Sequence, residues 1–122
     1  MPNLKIAYSP KVEQYFSTNR ELVEIAKTDF TDVAAIVLSS SDVGEYLDRI
    51  KATKFDVPVF VVQTYEQQVD PKFYDSIYHI QDLNGYDIKL YSRQIETAAK
   101  LYEEKMLPPF FKMLSEYVEM GN

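Results

Sequence analysis

The run of six apolar residues from Val33 to Leu38 constrains the fold of this chain more than any other feature. The run is too short for a typical helix and contains no polar alternation, so it predicts a strand that is covered on both faces. A second apolar run, Val57 to Val62, follows about one helix length later and is predicted to pair beside the first. This spacing is typical of the strand–helix–strand unit of a parallel sheet.

Weaker apolar patterns predict the other elements of the fold. Three further strands are predicted at 4–8, 21–26 and 77–80, and helices at 10–16, 43–50 and 92–106, with a short helix after Asp70. Ser9, Asp70 and one of Ser40 and Ser41 are predicted to cap helices. The sum is an α/β, flavodoxin-like (receiver-like) three-layer sandwich with a five-stranded parallel sheet in the order 2-1-3-4-5.

Composition excludes several functional classes. Nineteen acidic residues face 13 basic ones, and the net charge of −6 argues against a nucleic-acid partner. The absence of cysteine excludes disulfides, Cys-zinc sites and thiol chemistry. No apolar run approaches the roughly 20 residues that a membrane span needs, and the first residues do not resemble a signal peptide. A cytoplasmic protein without membrane contact is therefore expected.

The strand ends are the place to look for chemistry, because ligands of such sheets bind at the carboxyl ends of the strands. The predicted ends lack the acids and lysine of a phospho-receiver, and three glycines in the whole chain are too few for a Gly-rich phosphate loop. Ser39, Ser40 and Ser41 could donate to an anion, and Arg93 is a further effector candidate. Helix capping and a solvated turn are the alternative for the serines.

The remaining polar residues predict no catalysis. His79, the sole histidine, has no nucleophile or second ligand near it in the sequence and is predicted to be structural. The pair Glu103-Glu104 is predicted to be solvated surface. No catalytic, cofactor-binding or metal-binding residue is predicted.

The end of the chain differs from the rest. Leu107-Pro108-Pro109 is predicted to stop the long helix, and a new helix carries its apolar residues on one side. This divides the chain into a domain over 1–106 and a connecting helix over 107–122. The predicted interface residues are Leu107, Pro108, Pro109, Phe110, Phe111, Leu114 and Tyr117.

Several segments resemble one protein family. The run from Tyr102 to Lys112, with its Leu-Pro-Pro-Phe-Phe-Lys core, is similar to the end of the N-terminal "wing" domain of bacterial inducible Orn/Lys/Arg decarboxylases. The segments 29–33, 52–60 and 93–98 look most like the ornithine decarboxylase branch. The resemblance covers nearly the whole chain.

The resemblance implies a non-catalytic wing domain of an enzyme that uses pyridoxal phosphate to convert ornithine to putrescine and CO₂. It also implies contacts with the enzyme's own pyridoxal-phosphate domain and with neighbouring subunits in a homo-oligomer of dimers, and it makes a guanine nucleotide a candidate effector. The family's Ser-X-His-Lys segment has no match, because His79 is followed by Ile80. No cofactor is therefore expected in this chain. The alternative is a stand-alone flavodoxin-like or receiver-like module that binds an anionic nucleotide or a protein partner.

Overall fold

The computed structural model describes residues 4–53, 56–84 and 87–106. The strands are β1 (Lys5–Tyr8), β2 (Leu22–Glu24), β3 (Val33–Ser39), β4 (Val59–Gln63) and β5 (His79–Asp82), and the α-helices are α1 (Val43–Ala52) and α2 (Ile88–Met106). Short 3₁₀ helices span Pro10–Tyr15, Ile25–Lys27, Ser40–Asp42 and Pro71–Ser76. The strands form one parallel sheet in the order β2-β1-β3-β4-β5, which confirms the predicted topology.

Strand β3 lies in the middle of the sheet, as its apolar run predicts. Six successive residues of β3 are buried, and because alternate side chains point to opposite faces, both faces of the strand are covered. Ile36 pairs with Val59 of β4, and the Ile36 N–H donates to the Pro58 carbonyl at 2.9 Å. Pro58 therefore precedes the strand, where its missing N–H costs no ladder hydrogen bond.

Helix α2 carries the predicted apolar stripe, and Tyr91 extends it towards the start of the helix. The helix begins at Ile88 and not at Ser92, because the Asp87 carboxylate accepts hydrogen bonds from the N–H groups of Lys89 and Leu90 at 2.9 and 3.3 Å. The buried residues of this face are Tyr91, Ile95, Ala98, Ala99 and Tyr102.

Several further elements differ from the predictions. The second strand, predicted at 21–26, spans only Leu22–Glu24, because Ile25–Lys27 forms a 3₁₀ helix. The helix predicted at 10–16 is a 3₁₀ helix over Pro10–Tyr15. Strand β5 starts at His79 and not at Ile77, because the Ile77 N–H still bonds back to Tyr74 of the preceding 3₁₀ helix at 3.2 Å. The apolar residues of this segment did not show where the 3₁₀ helix ends and where the strand begins.

The link into β3 contains an unusual backbone position at Phe30. Its φ of 69° lies in the left-handed region that bulky side chains rarely adopt. The Phe30 ring is fully buried, and the Arg49 guanidinium lies 5.5 Å from the ring centroid. The backbone N–H of Phe30 donates to Thr28 Oγ1 at 3.1 Å. Burial of the ring and these contacts offset the backbone strain.

Candidate functional site

The carboxyl ends of β1 and β3 form a cluster that we call the serine corner. The chain leaves β1 towards β2 and leaves β3 towards β4, so the two ends meet where the strand order reverses. This is the position at which sheets of this kind bind ligands. The members of the serine corner are Ser9, Lys11, Ser39, Ser41 and Asp42.

Hydrogen bonds hold the serine corner together. The Ser39 N–H donates to the buried Ser9 Oγ at 3.0 Å, so this hydroxyl joins two strands and makes no cap to its own helix. The Ser39 hydroxyl donates to the Asp42 carboxylate at 2.8 Å and lies 2.9 Å from Ser41 Oγ. Lys11 Nζ donates to Ser41 Oγ at 3.2 Å and lies 3.8 Å from Asp42. The hydroxyls of Ser39 and Ser41 are thus engaged within the corner.

The predicted cap at Ser40 or Ser41 is wrong. A 3₁₀ turn over Ser40–Asp42 precedes α1, so Asp42 occupies the N-cap position and makes no side-chain cap hydrogen bond. The Asp42 carboxylate bonds to Ser39 instead. An anion at the serine corner would meet this carboxylate as well as the Lys11 ammonium group. Arg93 is exposed in the second turn of α2, and within the described residues no hydrogen bond or ion pair joins it to the corner.

We expect Ser9→Ala to lower the free energy of unfolding by about 1–2 kcal/mol, because the Ser39 N–H loses its acceptor in a poorly hydrated position. Urea unfolding of the 122-residue chain measures this value. Ser41→Ala is the matched control: Ser41 is exposed, so its loss should change the free energy by less than about 0.5 kcal/mol. Equal effects at both positions would contradict a joining role for Ser9.

The ends of β4 and β5 are joined by Gln63. Its side-chain amide donates to Asp82 at 2.7 Å, and its side-chain oxygen accepts the Val69 N–H at 3.1 Å. Its backbone carbonyl accepts the Leu83 N–H at 3.1 Å. Gln63 therefore serves the loop structure at this edge of the sheet.

His79 and Lys11 are both engaged in contacts within the domain. His79 packs beside the Phe60 and Tyr91 rings, with centroid distances of 6.1 and 5.8 Å, as a structural histidine would. Lys11, whose ammonium group belongs to the serine corner, donates to Ser41 Oγ and forms an ion pair with Asp42. In the described part of the chain, no group of three or more His, Cys, Asp or Glu side chains could hold a metal ion. Nor does that part contain a helix long and apolar enough to cross a bilayer.

An ion cluster that the sequence analysis missed joins both ends of the described chain. Arg20, whose side chain is only 5% exposed, donates through Nε to Glu96 at 2.7 Å and through Nη2 to Glu103. Its Nη1 donates to the Leu4 carbonyl at 2.9 Å, while the Leu4 N–H donates to Glu103 at 3.1 Å. We call Arg20, Glu96 and Glu103 the arginine cluster.

The arginine cluster corrects the prediction that Glu103 is solvated surface. Burial alone would lower the pKa of Arg20, but the hydrogen bonds with Glu96 and Glu103 raise it above its ordinary value, so the guanidinium stays charged. The signal in the sequence was the spacing: Glu96 and Glu103 are seven residues apart, and such residues share one face of a helix. Glu104 is exposed, as predicted.

A concave surface lies at the amino ends of β4 and β5, between the last turns of α2 and the segments that lead into these two strands. It encloses about 810 Å³, and we call it the α2–β5 groove. Its apolar lining includes Val57, Ile77, Tyr78, Leu101 and Tyr102. Burial, with the Asp56 carboxylate as a second cause, raises the pKa of the Tyr102 hydroxyl, which is therefore neutral.

Comparison with known proteins identifies the family. Residues 4–102 match the family described as Orn/Lys/Arg decarboxylase, N-terminal domain. The chain belongs to this family. The predicted family is thus confirmed, although the Tyr102–Lys112 segment lies outside the matched residues except for Tyr102.

Individual relatives agree with the family. The chain is 98% identical to an ornithine decarboxylase of Haemophilus influenzae over 122 residues, which is 100% of this chain and 17% of that protein. It is 42% identical to an inducible ornithine decarboxylase of a Lactobacillus species, over 98% of this chain and 16% of that protein. It is 40% identical to an inducible ornithine decarboxylase of Escherichia coli, over 100% of this chain and 17% of that protein. The Orn/Lys/Arg decarboxylase N-terminal domain thus spans about a sixth of the length of these relatives.

The structure places some of the predicted site residues and leaves others outside its range. Ser39 and Ser41 belong to the serine corner, while Ser40 shares the 3₁₀ turn with Ser41 and Arg93 is exposed on α2. The predicted interface residues from Leu107 to Tyr117 lie outside the described residues. The arginine cluster and the α2–β5 groove are features of this N-terminal domain that no motif indicated.

Proposed function

We propose that this chain is the N-terminal domain of a pyridoxal-phosphate-dependent ornithine decarboxylase that forms putrescine and CO₂ in the cytoplasm. The 98% identity to the Haemophilus ornithine decarboxylase over the whole chain carries this proposal. Pyridoxal phosphate would supply the electron sink for decarboxylation from elsewhere in the longer protein.

The role proposed for the domain is assembly. Strand β3 is covered on both faces, so the domain has a rigid centre, and a rigid domain is suited to positioning subunits. Its partners would be the enzyme's own pyridoxal-phosphate domain and neighbouring subunits in a homo-oligomer of dimers. Leu114 and Tyr117 are the proposed contacts beyond the described residues.

Regulation by a guanine nucleotide, or a stand-alone role in binding an anionic nucleotide, would use the serine corner. Lys11 there carries a positive charge beside two hydroxyls, which suits a phosphate. The Asp42 carboxylate disfavours phosphate binding at this corner, since the carboxylate already accepts a hydrogen bond from the Ser39 hydroxyl. Assembly is for this reason the better-supported role.

The assembly role is tested on the full-length gene product. We expect the intact protein to release putrescine from ornithine, and to sediment as an assembly of several dimers. Deleting residues 1–106 should reduce the sedimenting species to dimers, with the pyridoxal-phosphate absorbance of each subunit retained. Leu114→Glu with Tyr117→Glu, in the otherwise intact protein, avoids the risk that the deletion misfolds and should weaken assembly in the same direction.

Each part of the proposal can fail separately. No putrescine from ornithine, or faster turnover of lysine or arginine, would overturn the assigned reaction. Unchanged sedimentation of both variants, with the reaction intact, would overturn the assembly role.

A further inference from the structure

The last turn of α2 begins at Glu103 and is held to the rest of the domain by few side chains. Tyr102 packs into the core, but Glu104 and Lys105 are exposed. Lys105 pairs with Asp56 at 3.9 Å, and the two side chains are 78% and 96% exposed, so this ion pair holds the turn only weakly. Among the described side chains of the turn, the largely buried Glu103 therefore makes the contacts that matter most.

Glu103 reaches parts of the domain that are joined to the sheet. Its carboxylate accepts hydrogen bonds from the Arg20 guanidinium and from the Leu4 N–H. Leu4 directly precedes β1, and Arg20 Nη1 donates to its carbonyl. Glu21, the residue after Arg20, accepts the Ile6 N–H at 3.1 Å, so the backbone beside Arg20 is joined to β1 as well. Through Glu103, the end of α2 is thus fastened to the start of β1.

Glu96 gives the arginine cluster a second point of contact on the helix. Arg20 donates through Nε and Nη2 to the two carboxylate oxygens of Glu96 at 2.7 and 3.1 Å, and such a forked contact fixes orientation as well as distance. Glu96 and Glu103 lie seven residues apart, which is about 10.5 Å along the helix axis. Two contacts this far apart on one face restrict both the rotation of α2 about its axis and the lifting of its last turn.

We propose that the arginine cluster is a latch that holds the last turn of α2 against the start of β1 and thereby fixes the direction in which the chain leaves the domain. Arg20 is then a positioning residue for the segment that follows Met106. The proposal rests on the proposed assembly function, because a domain that positions subunits needs a fixed exit as well as a rigid centre. Without the latch, unwinding of the last four residues of α2 would remove about 6 Å of helix at the exit.

Two spin labels test the latch on the 122-residue chain, which contains no cysteine of its own. Asp48→Cys on α1 and Glu104→Cys on the last turn of α2 supply exposed labelling sites, and double electron–electron resonance measures the distribution of distances between the labels. Arg20→Met with Glu103→Gln removes the latch without leaving a charge buried and unpaired. This paired variant should widen the distribution about twofold, because the last turn then opens locally while the core stays folded.

Two control variants separate the latch from general effects on the fold. Lys105→Ala removes the exposed ion pair of the same turn, and Ser9→Ala removes a buried hydrogen bond at the opposite end of β1. Both should keep the wild-type width. Far-ultraviolet circular dichroism verifies that every labelled variant folds. An unchanged distribution in the paired variant, or equal widening by Ser9→Ala, would overturn the latch.

The positioning role is tested separately on the full-length protein. The paired variant should shift the sedimenting species from assemblies of several dimers towards dimers, and unchanged sedimentation together with a widened distance distribution would overturn the positioning role. A wild-type protein that forms no such assembly would instead overturn the proposed assembly function. The distance measurement involves no assembly, so its outcome is independent of that result.

Discussion

Arg20→Ala is expected to lower the free energy of unfolding by about 3 kcal/mol, since it leaves the Glu103 carboxylate without its cation in a largely buried position. The Glu103 side chain is only 13% exposed, and Arg20 also loses its hydrogen bond to the Leu4 carbonyl. Urea unfolding, followed by circular dichroism, measures the change. The slope against urea should stay constant, because the surface exposed on unfolding is nearly the same.

A paired substitution separates the ion pair from the packing of the arginine stem. Arg20→Met together with Glu103→Gln removes both charges and should recover much of the loss, because no buried charge then remains unpaired. Arg20→Lys should fall between wild type and Arg20→Ala, since one ammonium group cannot reproduce the forked contacts to Glu96 and Glu103. A loss below about 0.5 kcal/mol for Arg20→Ala would place the arginine cluster among ordinary surface ion pairs.

Phe60→Ala is expected to lower the free energy of unfolding by about 4 kcal/mol, from lost burial and from the cavity that remains. Phe60 is fully buried in β4, and its ring lies 5.2 Å from that of Tyr78 and 6.0 Å from that of Tyr91. Thermal and urea unfolding of the same variant provide two measurements of the loss.

Tyr65 provides the matched aromatic control for Phe60. It lies just beyond β4 and is 84% exposed, so Tyr65→Ala should change the free energy by less than about 0.5 kcal/mol. Phe60→Leu should cost less than Phe60→Ala, because most of the volume is kept. If Phe60→Ala and Tyr65→Ala lowered the free energy of unfolding equally, the contact between β4 and α2 would not be the packed core described above.

The sequence predicts the sheet well because its central strands are strongly apolar. The apolar side chains from Val33 to Leu38 are removed from water only if both faces of the strand are covered, and that requirement places β3 in the middle of the sheet. Boundaries were predicted less well where polar groups decide them. Asp87 starts α2 earlier than the apolar stripe indicates, and the back-bonded Ile77 delays β5.

The candidate sites were harder to predict, because they depend on contacts between distant segments. The serines at the carboxyl end of β3 were predicted as anion-binding candidates, but their hydrogen bonds to Ser9 and Lys11 cross 30 residues of sequence. The arginine cluster joins residues 76 and 83 positions apart. Spacing along α2 could indicate that Glu96 and Glu103 share a face, but not that Arg20 lies against it.

The arginine cluster also determines when this domain can finish folding on the ribosome. The hydrogen bond from Leu4 to Glu103 spans 99 positions, so the residue that precedes β1 meets this partner only after α2 has been synthesised. Strands β1 to β4 can associate earlier, while Arg20 still lacks both carboxylates. The arginine cluster therefore stays incomplete until α2 emerges, and Leu4, although made early, is among the last of the described residues to be secured.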